Sequence, residues 1–395
     1  MKPLTGVKIV DFTQAHAGSA ATMLLSDFGA EVIKIERKGV GDLARYWEPI
    51  ENGQSGYYVY LNRGKKSISI NASTPEGREI LFRLIKDADV VCENFKYGSM
   101  ERMGLSYKVI KEVNPSIIYA SLNGFGQYGR MKNAIGLDLQ LQAMSGMMDR
   151  TGFAEGSPVK AGAALGDHVS GLYLALAINL ALIHRRATGE GQRIDIAILD
   201  ALFSILESAQ VCYDMTGSVP ERSGNGVPFF APYDAYTTKD GYVVIGVSTQ
   251  RQWEKLCHAL EAEYLLEKYP NDTVRWKKAQ ELKTDLEQIL QEITKIQAEA
   301  LLNGEGVAAG AVRTPKEAMS FTPIVERNMV ATVQDEMLGT IQMPGTVIKM
   351  DKTPGGFTNS APALGEHTKY YLEQIGYSEV EIQHLLEQGI IEGRA

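Results

Sequence analysis

The first part of the chain alternates between short apolar segments and segments with helical periodicity. Residues 7–12 and 31–35 are typical of buried strands, and residues 20–28 between them are typical of a helix that ends at Gly29. A strand, a helix and a second strand in this order form a parallel pair. The alternation continues to residue 122. It predicts a doubly wound α/β domain.

The length of the chain indicates more than one domain. At 395 residues it exceeds the usual size of a single hydrophobic core, so we expect two domains or one domain with a large insertion. Residues 217–232, which are rich in Gly and Pro, and residues 315–323 are predicted linkers. Between them, residues 275–302 have the pattern of one long helix.

Charge, hydropathy and cysteine content limit which partners the protein could bind and in which cellular compartment it could reside. The net charge is −8 and basic residues do not form long blocks, so we expect no nucleic-acid partner. The most apolar segment, residues 169–183, is shorter than a bilayer span, so we expect no membrane association. The three scattered cysteines and the polar start predict reduced thiols and a cytoplasmic location.

One aspartate occupies a position suited to covalent chemistry. Asp167 follows the small residues 161–164 and Gly166, and it precedes the apolar helix predicted over residues 169–183. The positive end of a helix dipole favours an ionised carboxylate, and such a carboxylate can attack an acyl carbon. Aspartate is also a common N-cap, so a capping role for Asp167 stays open beside the catalytic one.

The loop after the first strand is a predicted ligand-binding edge. Ligands bind at the carboxyl ends of parallel strands, which places His16, Ala17 and Gly18 at that edge. A dinucleotide-binding fold would need GxGxxG in this loop, and Gly18 alone is present. A nucleotide-binding module or an NAD enzyme therefore stays an alternative function, but the motif that would support it is weak.

A series of short motifs runs through nearly the whole chain in a consistent order. They occupy residues 4–12, 25–36, 66–70, 74–77, 87–95, 102–104, 114–115, 142–146, 162–167, 188–192 and 364–368. In this order and spacing they resemble the class III CoA-transferases, which include formyl-CoA transferase and crotonobetainyl-CoA:carnitine CoA-transferase. The resemblance is weakest between about residues 215 and 320.

The resemblance implies an architecture that composition and periodicity do not reveal. Members of the family have a large Rossmann-like domain and a smaller α+β domain, and two chains interlock as a homodimer. Carried over to this chain, the large domain comprises residues 1–216 and 324–395 and the small domain residues 233–314, with the predicted linkers between them.

The resemblance also implies a reaction. Asp167 falls on the catalytic aspartate of the family's Gly-Asp motif. It would form an anhydride with the acyl group of an acyl-CoA and then an aspartyl-CoA thioester, from which CoA passes to a carboxylic acid. Coenzyme A is then a substrate, and we expect neither a tightly bound cofactor nor a metal.

The CoA contacts of the family carry over to positions in several motifs. Without the resemblance, Phe95 would be read as core packing and Arg102 as a surface charge. The implied CoA-binding residues are His16, Ala17, Arg37, Ile70, Asn71, Ala72, Ser73, Asn94, Phe95, Lys96, Arg102, Ala134, Ile135, Gly136 and Leu137.

Departures from the family pattern bear on the substrate. His16 replaces the glutamine of formyl- and oxalate-handling relatives, and His168, directly after Asp167, either tunes the nucleophile or occupies an ordinary helix position. An acyl-CoA racemase of the same fold is the alternative function. Such relatives carry a His-Asp pair where this chain has Leu137-Asp138, and leucine cannot carry a proton. Asp138 remains a candidate for substrate binding or helix capping, and the sequence does not name donor or acceptor.

Overall fold

The computed structural model describes residues 1–227 and 229–393. Pro228, in the first predicted linker, and Arg394 and Ala395, at the end of the predicted large domain, lie outside the described residues. The chain forms two compact units. The first comprises Met1–Met147, Ala161–Glu207 and Pro323–Ala395, and the second Met148–Lys160 and Ser208–Thr322. The domain limits given above stay predictions.

The secondary structure alternates strands and helices over much of the chain. The strands are β1 (Lys8–Asp11), β2 (Glu31–Arg37), β3 (Ile50–Glu51), β4 (Gln54–Ser55), β5 (Lys66–Ile70), β6 (Val90–Glu93), β7 (Ile118–Asn123), β8 (Arg193–Ala197), β9 (Tyr233–Thr238), β10 (Gly241–Gly246), β11 (Ala308–Ala311), β12 (Val330–Asp335), β13 (Gly339–Pro344) and β14 (Ile391–Glu392). The helices are α1 (Ala17–Asp27), α2 (Gly56–Asn62), α3 (Pro75–Lys86), α4 (Ser99–Arg102), α5 (Tyr107–Val113), α6 (Asp138–Met144), α7 (Met147–Arg150), α8 (Leu165–Thr188), α9 (Ile198–Ser204), α10 (Ala209–Thr216), α11 (Gln250–Ala259), α12 (Tyr264–Lys268), α13 (Asp272–Lys277), α14 (Ala279–Leu290), α15 (Lys295–Gly304), α16 (Pro315–Met319), α17 (Thr322–Glu326), α18 (Thr368–Gln374) and α19 (Glu379–Glu387). A 3-10 helix covers Leu43–Tyr46.

The first unit is built on a large sheet with the strand order β14-β5-β2-β1-β6-β7-β8 in the described part of the chain. Neighbouring strands are parallel, except that β14 is antiparallel to β5. The strand order reverses at β1, because β2 and β5 lie on one side of it and β6, β7 and β8 on the other. Such a reversal opens a crevice outside the carboxyl ends of the strands. The predicted α/β class with a parallel sheet is confirmed.

Each face of this sheet packs against its own hydrophobic core. Val10 of β1 lies in the core that includes Ile80 of α3, whereas its neighbour Ile9 lies in the core that includes Leu174 of α8. Successive side chains of a strand point to opposite faces, so one apolar run serves both cores. The centre of the strand therefore has to be apolar on both faces, as Ile9 and Val10 are, whereas its last residue, Asp11, is a buried charge at the carboxyl end.

The second unit has an antiparallel sheet in the order β11-β10-β9. Its core contains Trp253 and Leu286, both fully buried. The single helix predicted over residues 275–302 is wrong, since α13, α14 and α15 occupy this region. Thr294 and Gln297 form a capping box, which satisfies the free amides of a helix N-terminus and so begins α15 as a new helix.

Helix α8 is longer than the segment predicted over residues 169–183. It starts at Leu165 with Ala164 as its N-cap residue and ends at Gly189, which has the left-handed conformation. Asp167 thus lies inside the first turn and is not the N-cap. Among the described residues α8 is long and apolar enough, by length and composition, to cross a membrane, and 44% of its most apolar window is buried.

A buried ion pair lies within the N-terminal segment of the first unit, and its arginine also contacts the C-terminal segment. Arg63 Nη2 lies 2.7 Å from Asp27 Oδ2, with the two side chains 3% and 2% exposed. The Arg63 guanidinium also lies 4.0 Å from the ring centroid of Phe357.

We expect Arg63→Met to lower the free energy of unfolding by about 3–5 kcal/mol, because the Asp27 carboxylate would stay buried without its partner. Arg83 pairs with Glu79 on the surface, where the side chains are 43% and 55% exposed. Arg83→Met should therefore change the stability by less than about 1 kcal/mol. Denaturant titration of both variants is the measurement, and equal losses would contradict the expectation.

Candidate active site

The Asp42 carboxylate connects the loop after β1 to the 3-10 helix Leu43–Tyr46, whose N-cap residue it is. Its Oδ1 accepts hydrogen bonds from the Ala15 amide at 2.9 Å and from the Ala44 amide at 2.8 Å. Lys34 Nζ lies 2.7 Å from its Oδ2, and both side chains are fully buried. Ala15 has a φ of 59°, which is unfavourable for a residue with a Cβ. The hydrogen bond to Asp42 helps to hold this conformation.

Asn94 connects the loop after β6 to the loop after β1. Its Oδ1 accepts from the Gln14 amide at 2.8 Å, and its Nδ2 donates to the Gln14 carbonyl at 2.7 Å. The paired bonds fix the residues before His16 against the loop that carries Phe95. Asn94, predicted as a CoA contact, lies on the cavity wall and has this positioning role as well.

Asp138 positions the start of α8. Its Oδ1 accepts from the amides of Gly166 at 2.7 Å and Asp167 at 3.4 Å, and its Oδ2 accepts from Gln142 Nε2 at 2.6 Å. Amides in the first turn of a helix lack partners within the helix, so the carboxylate supplies what an N-cap side chain would. The predicted capping candidate thus caps α8, although it belongs to α6.

The Asp167 carboxyl has no hydrogen-bond partner among the described residues and lines the cavity. Burial, and then the negative charge of Asp138, raise the pKa of Asp167 to about 7. Both effects disfavour the charged form of a carboxyl. An unengaged carboxylate with a raised pKa is a stronger nucleophile than a free aspartate, because its basicity is higher and hydrogen bonds do not hold its oxygens.

A cavity of about 350 Å³ contains Asp167 and most of the residues predicted around it. Leu43, Trp47 and Lys132 also line it and were not predicted. The predicted residues on its wall are His16, Ala17, Asn94, Phe95, Lys96, Ala134, Ile135, Gly136, Leu137, Asp138 and Asp167.

A second cavity, of about 750 Å³, holds the remaining predicted CoA contacts. Phe95 lines both cavities. Arg37, Lys38 and Arg102 give the larger one a cationic lining that suits phosphate groups. Its predicted members are Arg37, Ile70, Asn71, Ala72, Ser73, Phe95 and Arg102.

His16 and His168 form a hydrogen-bonded pair beside the cavity. His16 Nε2 lies 2.9 Å from His168 Nδ1, and His16 Nδ1 hydrogen-bonds the Tyr57 hydroxyl. Burial, and then the neighbouring His168, lower the pKa of His16 to about 4, so its ring is neutral at physiological pH. Tyr57 was missed because it is distant in sequence from both histidines and carries no local motif.

The family model of CoA-transferase family III matches residues 4–368. The chain belongs to CoA-transferase family III. It is an enzyme that transfers CoA, and CoA thioesters are its substrates. The predicted family is confirmed.

Named CoA-transferases and the solved structure of another protein are similar to this chain along most of its length. It is 36% identical to succinyl-CoA:glutarate CoA-transferase of Mus musculus, covering 99% of this chain and 91% of that protein. It is 37% identical to succinyl-CoA:mesaconate CoA-transferase of Haloarcula marismortui, and the match covers 95% of this chain and 97% of that protein. The crystal structure of a CAIB/BAIF family protein from Brucella suis matches with a TM-score of 0.89 and 34% identity, covering 95% and 99%.

Metal ligands are a separate question. Within residues 1–227 and 229–393, no group of three His, Cys, Asp or Glu side chains could hold a metal ion. That the enzyme works without a metal or a tightly bound cofactor stays a prediction.

We expect Asp138→Asn to shift the pH dependence of CoA transfer. The candidate role of Asp167 as the nucleophile requires an ionised carboxylate, so we expect activity to rise with pH through its raised pKa of about 7. Removing the charge of Asp138 lowers that pKa, and the acidic limb of the profile should move to lower pH. The measurement is kcat against pH for both proteins. An unmoved limb would show that Asp138 does not tune the nucleophile.

Proposed function

We propose that this enzyme moves CoA from an acyl-CoA to a dicarboxylic acid through covalent intermediates on Asp167. The observation that supports the nucleophile is the unengaged, half-buried Asp167 carboxyl on the wall of a cavity lined by predicted CoA contacts. The dicarboxylic acid is supported by the relatives, whose names pair succinyl-CoA with glutarate or mesaconate.

The proposed reaction begins with attack of the Asp167 carboxylate on the thioester carbonyl. The C–S bond breaks, an aspartyl-acyl anhydride forms and CoA leaves as the thiolate. The thiolate then attacks the aspartyl carbonyl of the anhydride, which forms an aspartyl-CoA thioester and releases the donor acid as its carboxylate. Each step exchanges one activated acyl bond for another, so no step requires a high-energy leaving group.

The second half of the reaction repeats these steps with the acceptor. Its carboxylate attacks the aspartyl-CoA thioester, which gives a second anhydride and releases the thiolate. The thiolate attacks the acceptor carbonyl of this anhydride, and the new acyl-CoA and the Asp167 carboxylate are formed. No net proton is consumed, which suits a site whose buried His16 is neutral.

CoA is proposed to bind along the two cavities. Arg37 and Arg102 suit the nucleotide phosphates, and Phe95, which lines both cavities, suits the region between the nucleotide and the thioester. Cytoplasmic location, reduced cysteines and the absence of membrane or nucleic-acid partners are proposed from the composition.

The racemase alternative lacks a supporting observation among the described residues. Leu137 carries no ionisable group, and the Asp138 oxygens accept hydrogen bonds from the start of α8 and from Gln142. An acid/base pair for α-proton abstraction would need two free proton-transfer groups.

The proposed homodimer is supported by an apolar stripe on α8. Leu172, Leu176, Leu180 and Ile183 are 60%, 54%, 58% and 64% exposed. Their spacing of three or four residues places them on one face of the helix. An exposed stripe of this kind needs a cover, and a second copy of the chain, interlocked as in the resembled family, would supply a large obligate interface.

We expect Leu176→Glu to weaken the dimer, because a charge would be buried in an apolar contact. Val380→Glu, on α19 at 79% exposure, is the matched control and should leave the dimer intact. Analytical ultracentrifugation over a range of concentrations distinguishes the two variants. A monomeric wild type, or an unchanged Leu176→Glu variant, would contradict the proposed interface.

We expect Asp167→Asn to lose CoA transfer by at least about a thousandfold, because an amide cannot replace the nucleophile. CoA binding, measured by calorimetry, should persist. Hydroxylamine added during turnover should convert Asp167 of the wild type to its hydroxamate, which mass spectrometry locates. The control is Asp149→Asn at an exposed aspartate, which should keep its activity. A fully active Asp167→Asn variant would refute the mechanism.

A further inference from the structure

Lys132 is a cation on the wall of the cavity that contains Asp167. It is half-buried, and the tyrosine that it contacts, Tyr97, lines the same cavity. Lys132 Nζ lies 3.3 Å from the Tyr97 hydroxyl and 4.4 Å from the centroid of the Tyr97 ring. In the part of the chain that the structure describes, no carboxylate pairs with Lys132. Tyr97 therefore holds the ammonium group without neutralising its charge.

The loop that carries Lys132 has a defined backbone. The Ala134 amide donates to the Met131 carbonyl at 2.8 Å, which closes a turn around Lys132. Two residues further on, Gly136 lies so close to Gly124 that a Cβ on either would come within 2.7 Å of the other's Cα. This close approach requires glycine at both positions and ties the loop to the end of β7. The lysine is thus presented to the cavity from a wall with few alternative positions.

The two cavities differ in the cations that line them. Arg37, Lys38 and Arg102 line the larger one, so the nucleotide phosphates of CoA have partners there, whereas Lys132 lines the smaller one. Lys96 also lines the smaller cavity, but its side chain is exposed. A charge interaction is stronger for a group that is partly removed from water. Lys132 is therefore the better placed of the two lysines to attract an anion beside Asp167.

A dicarboxylic acceptor needs such a cation. Its attacking carboxylate meets Asp167 as a neutral thioester in the proposed mechanism, but the carboxylate at its other end keeps its charge. The cavity already contains the carboxylate of Asp138, whose negative charge contributes to the raised pKa of Asp167. A further carboxylate is costly to place there unless a cation or hydrogen-bond donors receive it. Among the described residues no ion pair joins Lys132 to Asp167, so the lysine is available for this role.

We propose that Lys132 is a specificity-determining residue whose ammonium group binds the second carboxylate of a dicarboxylic acid, with Tyr97 as the positioning residue that holds this group. The inference rests on the proposed function and deepens it. An ammonium group has three N–H donors, and the Tyr97 hydroxyl occupies one of them, so two remain for a carboxylate. The resulting charge-assisted hydrogen bonds are shorter and stronger than neutral ones. A succinyl donor carries the same free carboxylate and reacts at the same Asp167, so one cation serves donor and acceptor.

The test compares glutarate with glutaramate, in which one carboxylate is replaced by a neutral amide of the same shape. The purified full-length enzyme is used, with succinyl-CoA at one saturating concentration. Because the proposed mechanism is ping-pong, kcat/KM for the acceptor reports only its reaction with the aspartyl-CoA thioester. We expect the wild type to prefer glutarate by about tenfold or more, since only a carboxylate forms the charge-assisted hydrogen bonds.

Lys132→Met removes the charge and keeps a long unbranched side chain. We expect kcat/KM for glutarate to fall by about tenfold or more, mainly through KM, and that for glutaramate by less than about threefold. Lys132→Arg should keep most of the preference for glutarate, because it restores a cation at the same position. Lys111→Met is the matched control: Lys111 is an exposed lysine whose Nζ lies 5.9 Å from the centroid of the Tyr107 ring, and its loss should change neither value.

Two further variants separate Lys132 from its neighbours. Tyr97→Phe keeps the ring and removes the hydroxyl, so it should give a smaller loss that is again selective for glutarate and expressed in KM. Lys96→Met alters a predicted CoA contact and should affect both acceptors equally. If the loss selective for glutarate appeared in Lys96→Met and not in Lys132→Met, the assignment to Lys132 would be wrong.

Two other results would overturn the inference alone. One is a wild type that uses glutaramate as well as glutarate, and the other is a Lys132→Met variant that loses both activities equally, as expected if Lys132 contacts CoA. If Lys132→Met does not fold, as judged by thermal melting, Tyr97→Phe decides by the same comparison. Failure of the proposed function looks different. The wild type would then transfer CoA to neither acceptor, or Asp167→Asn would remain active, and the inference would fall with it.

Discussion

The contact between Asp138 and the first turn of α8 holds the backbone of Asp167, the proposed nucleophile, and contributes to the raised pKa of its carboxyl. Asp138 accepts from the amides of Gly166 and Asp167, so the backbone under the reactive carboxyl is fixed from outside the helix. The same negative charge, after burial, raises the pKa of Asp167. The Asp138 carboxylate thus has two effects. Its Oδ1 accepts hydrogen bonds from the amides at the start of α8, and its negative charge disfavours ionisation of the Asp167 carboxyl.

Fully buried charges support the loops around this centre. Lys34 pairs with Asp42 beneath the loop after β1, and Lys65 pairs with Asp11 at 3.1 Å. Buried ion pairs contribute little net stability, since desolvation offsets most of their attraction. Their value here is geometric, because the same side chains also hold the loop after β1: Asp42 accepts from the Ala15 amide, Lys34 donates to the Thr13 carbonyl and Asp11 accepts from the Thr13 amide.

Membership of CoA-transferase family III and the site agree on the type of chemistry. The relatives differ in the acids named for them, glutarate in one case and mesaconate in another. Within a common reaction, the discriminating contacts must lie where the acceptor chain extends away from Asp167. Beside the Asp167 cavity of this enzyme, Tyr57, His16 and His168 form one hydrogen-bonded chain.

The sequence determined the parallel sheet and the family, and it singled out Asp167 as the candidate nucleophile. These depend on local patterns: apolar strands alternating with helices, and short motifs in a consistent order. It did not predict that three helices, α13, α14 and α15, replace the single expected helix. The helical periodicity of the sequence continues across the break before α15, where Thr294 caps the start of a new helix. Likewise, the residues next to Asp138 in the sequence do not indicate that it caps α8, because the two helices meet only in the fold.

Only the tertiary structure brought Tyr57 to His16 and His16 to His168. Their ring contacts join residues 41 and 152 positions apart. Spacing along the chain carries no information about such contacts, since the sheet order decides which loops meet at one edge. The sequence therefore supplied the candidate nucleophile Asp167, and the fold supplied the burial and the Asp138 contact that raise its pKa and hold its backbone, because both depend on residues that are distant along the chain.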